Sequence, residues 1–371
     1  VADWLVIDGS YGEGGGQILR STVALAAITG QAVRIERIRA GRKRPGMAAQ
    51  HLTAVQAAAT LCGAHLTGAV LGSQTLEFAP QHPVRPGHYT FDVAEAREGG
   101  SAGAAILVLQ TVLLPLALAA GDSTVTVYGG THVMASPPFD YAADVWLPML
   151  GKMGVDTDLR LLRSGWYPLG KGEVRANICG LGAAGCPSLK PLVASVPGRL
   201  LVVMGRALAA DLPAHIPQRM ADRARSLLAA AGIRANIAPV RVSAANPGCG
   251  LSLAAHYEHC RAGFNVLGER GKPAERVAEE ACSMLLTHHG SGTALDEHLA
   301  DQVLLPAALA HGASVFSVER ISLHLLTHAW VVRCFGLAEV VIEGAEGEKG
   351  RVTVQPRQVK AFLQPGHPDA V

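Results

Sequence analysis

Three loops in this chain carry residue types suited to phosphate chemistry. The first, Asp8-Gly9-Ser10-Tyr11-Gly12-Glu13-Gly14-Gly15-Gly16-Gln17, follows a short strand-like run, Trp4 to Ile7, and opens a helix. Glycines let a backbone approach a ligand closely, and the free N–H groups of a helix start attract anions. No Lys-Ser/Thr follows, as a Walker A loop needs, and Gln17 stands where G-x-G-x-x-G needs its last glycine. A tight turn is the plain reading; Glu13, Gln17 and Arg20, in the same loop and first turn, favour a binding role. The second is the densest basic run, Arg34, Arg37, Arg39, Arg42, Lys43 and Arg44, whose last members sit in a Gly/Pro loop before a helix carrying Gln50 and His51. Such runs are usually solvated faces, but guanidinium forks at a helix start suit phosphate oxygens. The third is Arg320-Ile-Ser-Leu-His324-Leu-Leu-Thr-His328. A histidine on an apolar helix can be a core residue. Two at i, i+4 can hold zinc, though no acid lies between them and no third ligand is evident. A neutral imidazole can also act as a nucleophile.

The elements around these loops repeat. Val112 to Val127 aligns without a gap on Val303 to Val318, each an apolar helix, a glycine and a strand, and Gln17 to Ile38 is a fainter third copy. After the strands come helices over about Met47–Leu61, from Pro138 to Met153 and over Ile321–Phe335, so the unit reads helix, strand, polar loop, helix, strand. Open α/β layers of this kind put ligand chemistry at loop-to-helix joints. Roughly Leu181 to Gly292 differs in texture, with strands near Leu200–Met204 and Leu251–Ala255 and helices near Pro217–Ala231 and Pro273–His288. It reads as an inserted α+β domain. The expected division is 1–183 for the first two repeats, 184–291 for the insert and 292–371 for the third repeat and tail.

Composition bounds the class. The 371 residues are 49% hydrophobic and 17% charged with a net charge of +2, which describes a packed globular protein without a global field for a polyanion. Seven scattered cysteines, Cys186 among them, form no C-x-x-C pair and fit a reducing, cytoplasmic setting; the first residues show no secretory signal pattern. The apolar stretch Ala102 to Ala120 contains Gln110 and Pro115 and precedes a β-rich run, so a buried helix is expected and not a membrane span.

Asp8 to Arg20, Ile38 to Arg42, Arg44-Pro-Gly46, Gln50 to Ala54, Leu107 to Thr111, Leu299 to Gln302 and His324 to Thr327 together resemble the RNA 3′-terminal phosphate cyclases. The resemblance runs in order through nearly all three repeats; the insert and the tail after about Pro356 match poorly. It implies an α/β (α+β) fold of three two-helix, four-stranded units resembling the C-terminal domain of translation initiation factor 3, plus the smaller inserted α+β domain. It implies an ATP-dependent enzyme that converts an RNA 3′-terminal phosphate to a 2′,3′-cyclic phosphate through a covalent histidine-AMP and an RNA-adenylate. His324 would be the nucleophile. Glu13, Gln17, Arg20, Arg39, Arg42, Gln50, His51, Asp301 and Gln302 would contact nucleotide, phosphate or metal, with Mg²⁺ or Mn²⁺ at Glu13 and Asp301. Pro137 would lie near the adenine, and His298 takes a position often filled by an aromatic stacking residue. His132-Val133-Met134, where relatives often carry an Asn, and a short expansion over Ala94–Gly100 also depart from the pattern. The implied partners are ATP and RNA with a 3′-terminal phosphate, with no membrane and no obligate protein partner. Two alternatives remain: a non-catalytic cyclase-like scaffold of ribosome assembly, which would lack the histidine kept here at 324, and an enolpyruvyl-transferase-like enzyme.

Overall fold

Short β-branched runs separated by long apolar helices build layered units in this chain. The computed structural model describes residues 4–96, 103–184 and 189–357. The first unit is β1 (Leu5–Asp8), α1 (Gly16–Thr29), β2 (Val33–Glu36), α2 (Ala49–Cys62), β3 (His65–Thr67) and β4 (Leu76–Ala79). The second is β5 (His88–Asp92), α3 (Ala105–Ala117), β6 (Ser123–Gly129), α4 (Phe139–Tyr141), α5 (Leu147–Lys152), β7 (Thr157–Arg163) and β8 (Gly172–Ile178). A π-turn, Ala142–Trp146, joins α4 to α5. After β9 (Val193–Ala194) come β10 (Leu200–Ala210), α6 (His215–Ala230), β11 (Ala235–Val242), β12 (Gly248–Tyr257), β13 (Arg261–Leu267) and α7 (Ala274–Ser291). The last elements are α8 (Glu297–Gln302), α9 (Leu304–Ala308), β14 (Ser314–Val318), α10 (Leu323–Cys334), β15 (Ala338–Glu343) and β16 (Gly350–Pro356).

The fold is mixed α/β, with four four-stranded sheets among the described residues. Three share one pattern: β1-β2-β4-β3, β5-β6-β8-β7 and β9-β14-β16-β15. In each, the first pair is parallel and the other pairings are antiparallel. A parallel pair needs a long crossover, here α1, α3 and, between β9 and β14, the whole segment containing the fourth sheet. That fourth sheet, β11-β10-β12-β13, packs against α6 and α7. The repeat therefore begins with a strand, which helix periodicity could not reveal in a piece as short as β9.

Other differences from the expected elements are local. The strand read as Val33 to Ile38 stops at Glu36, because Arg37 and Arg39 both take φ 53° and the chain turns. The helix before β14 breaks at Val303; Pro306 has no N–H to give the carbonyl of Gln302. Helix α3 is buried along nearly its whole length. Among the described residues no helix is long and apolar enough to cross a membrane. Ala102, part of the Ala94–Gly100 stretch (97–100), Cys186 and the tail from 358 lie outside the described residues.

Candidate active site

Helix α1, buried on nearly every face, lies against α2, α3 and α10 and brings its N-terminus to where the three units meet. Its N-cap, Gly15, has no side chain to cap the first N–H groups, so these remain available as donors. Upstream, Ser10 donates from its N–H and hydroxyl to Asp8 Oδ1 at 3.0 and 2.7 Å, which closes the turn. Gly16 is required by crowding: a Cβ there would strike His51 and Arg20.

His51 sits in the first turn of α2, where Nδ1 accepts the Ala48 N–H at 3.1 Å. Burial, reinforced by Arg20 and Arg39, pulls its pKa down to about 3. It is therefore neutral, with its proton on Nε2. Gln50 Oε1 accepts Ala104 N–H at 3.0 Å and ties α2 to the start of α3. In the basic loop, Arg39 donates to Gly46 O at 2.6 Å, and Arg42 donates to Glu13 O at 2.9 Å while pairing with the Glu13 carboxylate.

Helices α8 and α10 supply the opposite wall. Gln17 donates to Asp301 Oδ2 at 2.6 Å. Burial pushes the Asp301 carboxyl up to about 7, against the pull of His298, Gln17 and Arg20. Burial brings Arg20 down to about 10, leaving it cationic at neutral pH. His328 donates from Nδ1 to Asp301 O at 2.7 Å, so its Nε2 accepts from the Ser21 hydroxyl. Both nitrogens are thus committed, which closes the zinc reading for the His324/His328 pair. His324 is different: its side chain is 54% exposed and Nε2 lies 3.8 Å from Glu13 Oε1. That is too long for a hydrogen bond.

All of this faces one cleft of about 640 Å³. Glu13, Gln17, Arg20, Arg39, Arg42, Gln50 and His51 line it from the first unit, Pro137 from the second, and His298, Asp301, Gln302 and His324 from the third. The twelve candidate site residues all line this cleft, whereas Arg34, Arg37, Lys43 and Arg44 of the basic run do not; Arg34 pairs with Glu36 and Glu77, and Arg37 with Asp8. A family model described as RNA 3′-terminal phosphate cyclase matches residues 11–342. The chain belongs to the RNA 3′-terminal phosphate cyclase family.

A family member from Methylococcus capsulatus is 64% identical over 94% of this chain and 96% of its own length. One from Trichormus variabilis is 52% identical over 92% of this chain and 96% of its own. A solved enolpyruvyl transferase from Streptomyces tendae aligns with a TM-score of 0.39 at 13% identity, over 96% of this chain and 49% of that one, a likeness too low to argue from.

The site residues that the resemblance implies do not account for the whole wall. Gln110, Trp146 and Asn265 also line the cleft, and among the described residues Gln110 Nε2, Trp146 Nε1 and Asn265 Oδ1 are buried without partners. Gln110, beside Thr111, was legible as a polar residue deep inside an apolar run. Nothing local marked Asn265, which reaches the cleft from β13 in the fourth sheet. His132, in the loop that departs from the pattern implied by the resemblance, is structural: it stacks on Trp166 with centroids 4.7 Å apart and bonds Asp140 at 2.9 Å.

Proposed function

We propose that this chain converts an RNA 3′-terminal phosphate to a 2′,3′-cyclic phosphate at the expense of ATP, with His324 as a transient AMP carrier. The observation that carries the reading is the exposed imidazole of His324 on the same cleft as the glycine turn and three arginines. Burial, with His298, Arg20 and Arg42 nearby, holds the His324 pKa below its usual 6.5. A neutral ring has a free nitrogen lone pair for attack without a separate base.

In the first step a ring nitrogen of His324 forms a bond to the α-phosphorus of ATP as the Pα–O bond to the β-phosphate breaks, releasing pyrophosphate. Arg20, Arg39 and Arg42 supply fixed positive charge for the phosphates, together with the uncapped start of α1. In the second step an oxygen of the RNA 3′-phosphate attacks the same phosphorus, and the P–N bond breaks once the leaving imidazole is protonated. In the third, the adjacent 2′-hydroxyl attacks the RNA phosphate and AMP leaves. Ring closure is intramolecular and can enjoy an effective molarity on the order of 10⁵ M or more.

A divalent cation fits the residues present. Among the described residues Glu13 Oε2, Gln17 Oε1, Asp301 Oδ1 and Gln302 Oε1 are buried oxygens without hydrogen-bond partners. Oxygen donors suit Mg²⁺ or Mn²⁺. Four oxygens fall short of the octahedral shell of Mg²⁺, so substrate phosphates or water would supply the remaining ligands. Glu13 and Asp301 would hold the ion, which would offset the charge developing on the departing pyrophosphate. Pro137 and His298 are proposed to flank the adenine. Six free cysteines among the described residues support a reducing, cytoplasmic setting.

We also propose that the three similar sheets with their helices are the units resembling the C-terminal domain of translation initiation factor 3. Their common strand order supports this. The pairing of β9 with β14 favours an insert that starts after Ala194, later than residue 184.

The test is incubation with Mg²⁺ and ATP labelled at the α-phosphate. Label is expected to stay on the protein, to be acid-labile and alkali-stable, and to vanish in His324→Asn. Wild-type protein that takes no label with either metal would end the nucleophile assignment.

A further inference from the structure

Three consecutive residues of the glycine turn meet three successive steps of α10. Glu13 lies beside His324. Gly12, at φ 55°, packs on Thr327 so closely that a Cβ would collide with the threonine hydroxyl. Tyr11 stacks on Trp330, with ring centroids 4.1 Å apart and planes 14° from parallel. Positions 324, 327 and 330 are spaced three residues apart, about 4.5 Å of rise per step. The turn passes them in the opposite direction.

The middle step carries the directed bonds. The fully buried Thr327 hydroxyl donates to Leu323 O at 2.6 Å and accepts the Glu13 N–H at 3.1 Å. A hydroxyl has one proton, and with that proton given to Leu323 its lone pairs are left to accept. Arg42 holds the same residue from the other side, through the Glu13 carbonyl at 2.9 Å and the carboxylate. The Glu13 backbone is thus gripped at its N–H by α10 and at its C=O by the basic loop.

We propose that Thr327 is a positioning residue for adenylylation of His324. Its hydroxyl, backed by the Tyr11–Trp330 stack, keeps the glycine turn in register with α10, so that Glu13 and the imidazole face the same point of the cleft. This rests on His324 being the nucleophile. Valine at 327 would fill the same volume but leave the Glu13 N–H without its acceptor, and the turn would shift. Serine would keep both hydrogen bonds.

The test is single-turnover transfer of label from α-labelled ATP to wild type, Thr327→Val and Thr327→Ser. Displacing a reacting group by on the order of 1 Å can cost about 100-fold in rate. Thr327→Val is therefore expected to reach the wild-type end amplitude about 10- to 100-fold more slowly, at a half-saturating ATP concentration within about twofold of wild type. Thr327→Ser should recover to within about threefold. Should Thr327→Val fold poorly, Tyr11→Ala, on the exposed outer step, is expected to lower the same rate constant with full amplitude. Two results overturn the proposal: wild-type rate constants in both Thr327→Val and Tyr11→Ala, or a loss confined to amplitude, which would mean fewer folded molecules. A wild type that takes no label overturns the nucleophile assignment along with it, whereas a labelled wild type beside equally fast Thr327→Val and Tyr11→Ala overturns the positioning role alone.

Discussion

One carboxylate oxygen of Glu13 is taken by Arg42, and the other is buried without a partner among the described residues. The side chain is thus half satisfied, an arrangement that costs free energy unless a ligand completes it. Arg42 has one more role than charge balance, because it also bonds the Glu13 carbonyl. Its side chain is 42% exposed, and exposed ion pairs contribute little to stability, about 1 kcal/mol or less. Arg42→Ala is therefore expected to leave the melting temperature within about 4 °C of wild type. The half-saturating concentration of ATP or of phosphorylated RNA should rise about tenfold, the loss of one charge-assisted contact. Steady-state cyclisation assays check this; unchanged constants for both substrates would remove the basic loop from the site.

Helices α1 and α2 show what the local elements contribute. Gly30 and Gly63 end them in the left-handed conformation, at φ 71° and 57°. His51, in the first turn of α2, serves both its helix and the cleft. In the unfolded chain an imidazole titrates near 6.5, whereas burial takes that of folded His51 to about 3. Above 6.5 neither state is protonated. As the pH falls from 6.5 toward 3 the unfolded state takes up its proton first, so stability drains away across that window and this group changes it no further below. His328, pulled down to about 4 by burial, acts in the same sense. His51→Gln is expected to lose less of its urea midpoint than wild type between about pH 7 and about pH 4.5. Parallel curves for the two proteins would assign the acid sensitivity elsewhere.

Across the whole molecule, the fourth sheet is braced against the second unit by polar groups, of which Asp140, Tyr141 and Asp296 are buried. Arg206 of β10 pairs with Asp140 and Asp144, and Arg261 donates to Asp144 O at 2.8 Å. Asp296, 1% exposed, accepts from the Tyr141 hydroxyl at 2.8 Å, from Gly263 N at 3.0 Å and from the first turn of α8. One carboxylate thereby joins the second unit, the fourth sheet and the helix that carries Asp301. Tyr141→Phe removes a single donor to that buried carboxylate and is expected to cost about 1.5–3 kcal/mol. Urea unfolding should show a lower midpoint with an unchanged slope. An unchanged midpoint would mean that the hydroxyl bond adds nothing to the docking.

What the chain declared by itself was local and periodic. The glycine turn, the helix stops and the repeat from Val112 to Val127 on Val303 to Val318 follow from backbone freedom and apolar spacing, which neighbouring residues set. Eight of the twelve candidate residues stood out locally, in the glycine turn, the basic loop with its helix and the histidine joint; Pro137, His298, Asp301 and Gln302 came only with the resemblance to the family. Tertiary structure alone decided which of them touch. Gln17 meets Asp301 and Glu13 meets Thr327 across nearly the whole length of the chain. The two-residue β9 finds its sheet beyond the fourth sheet, and Asn265 reaches the cleft from outside the repeats. Such contacts depend on how complete units pack, and no local preference encodes the packing of one unit on another.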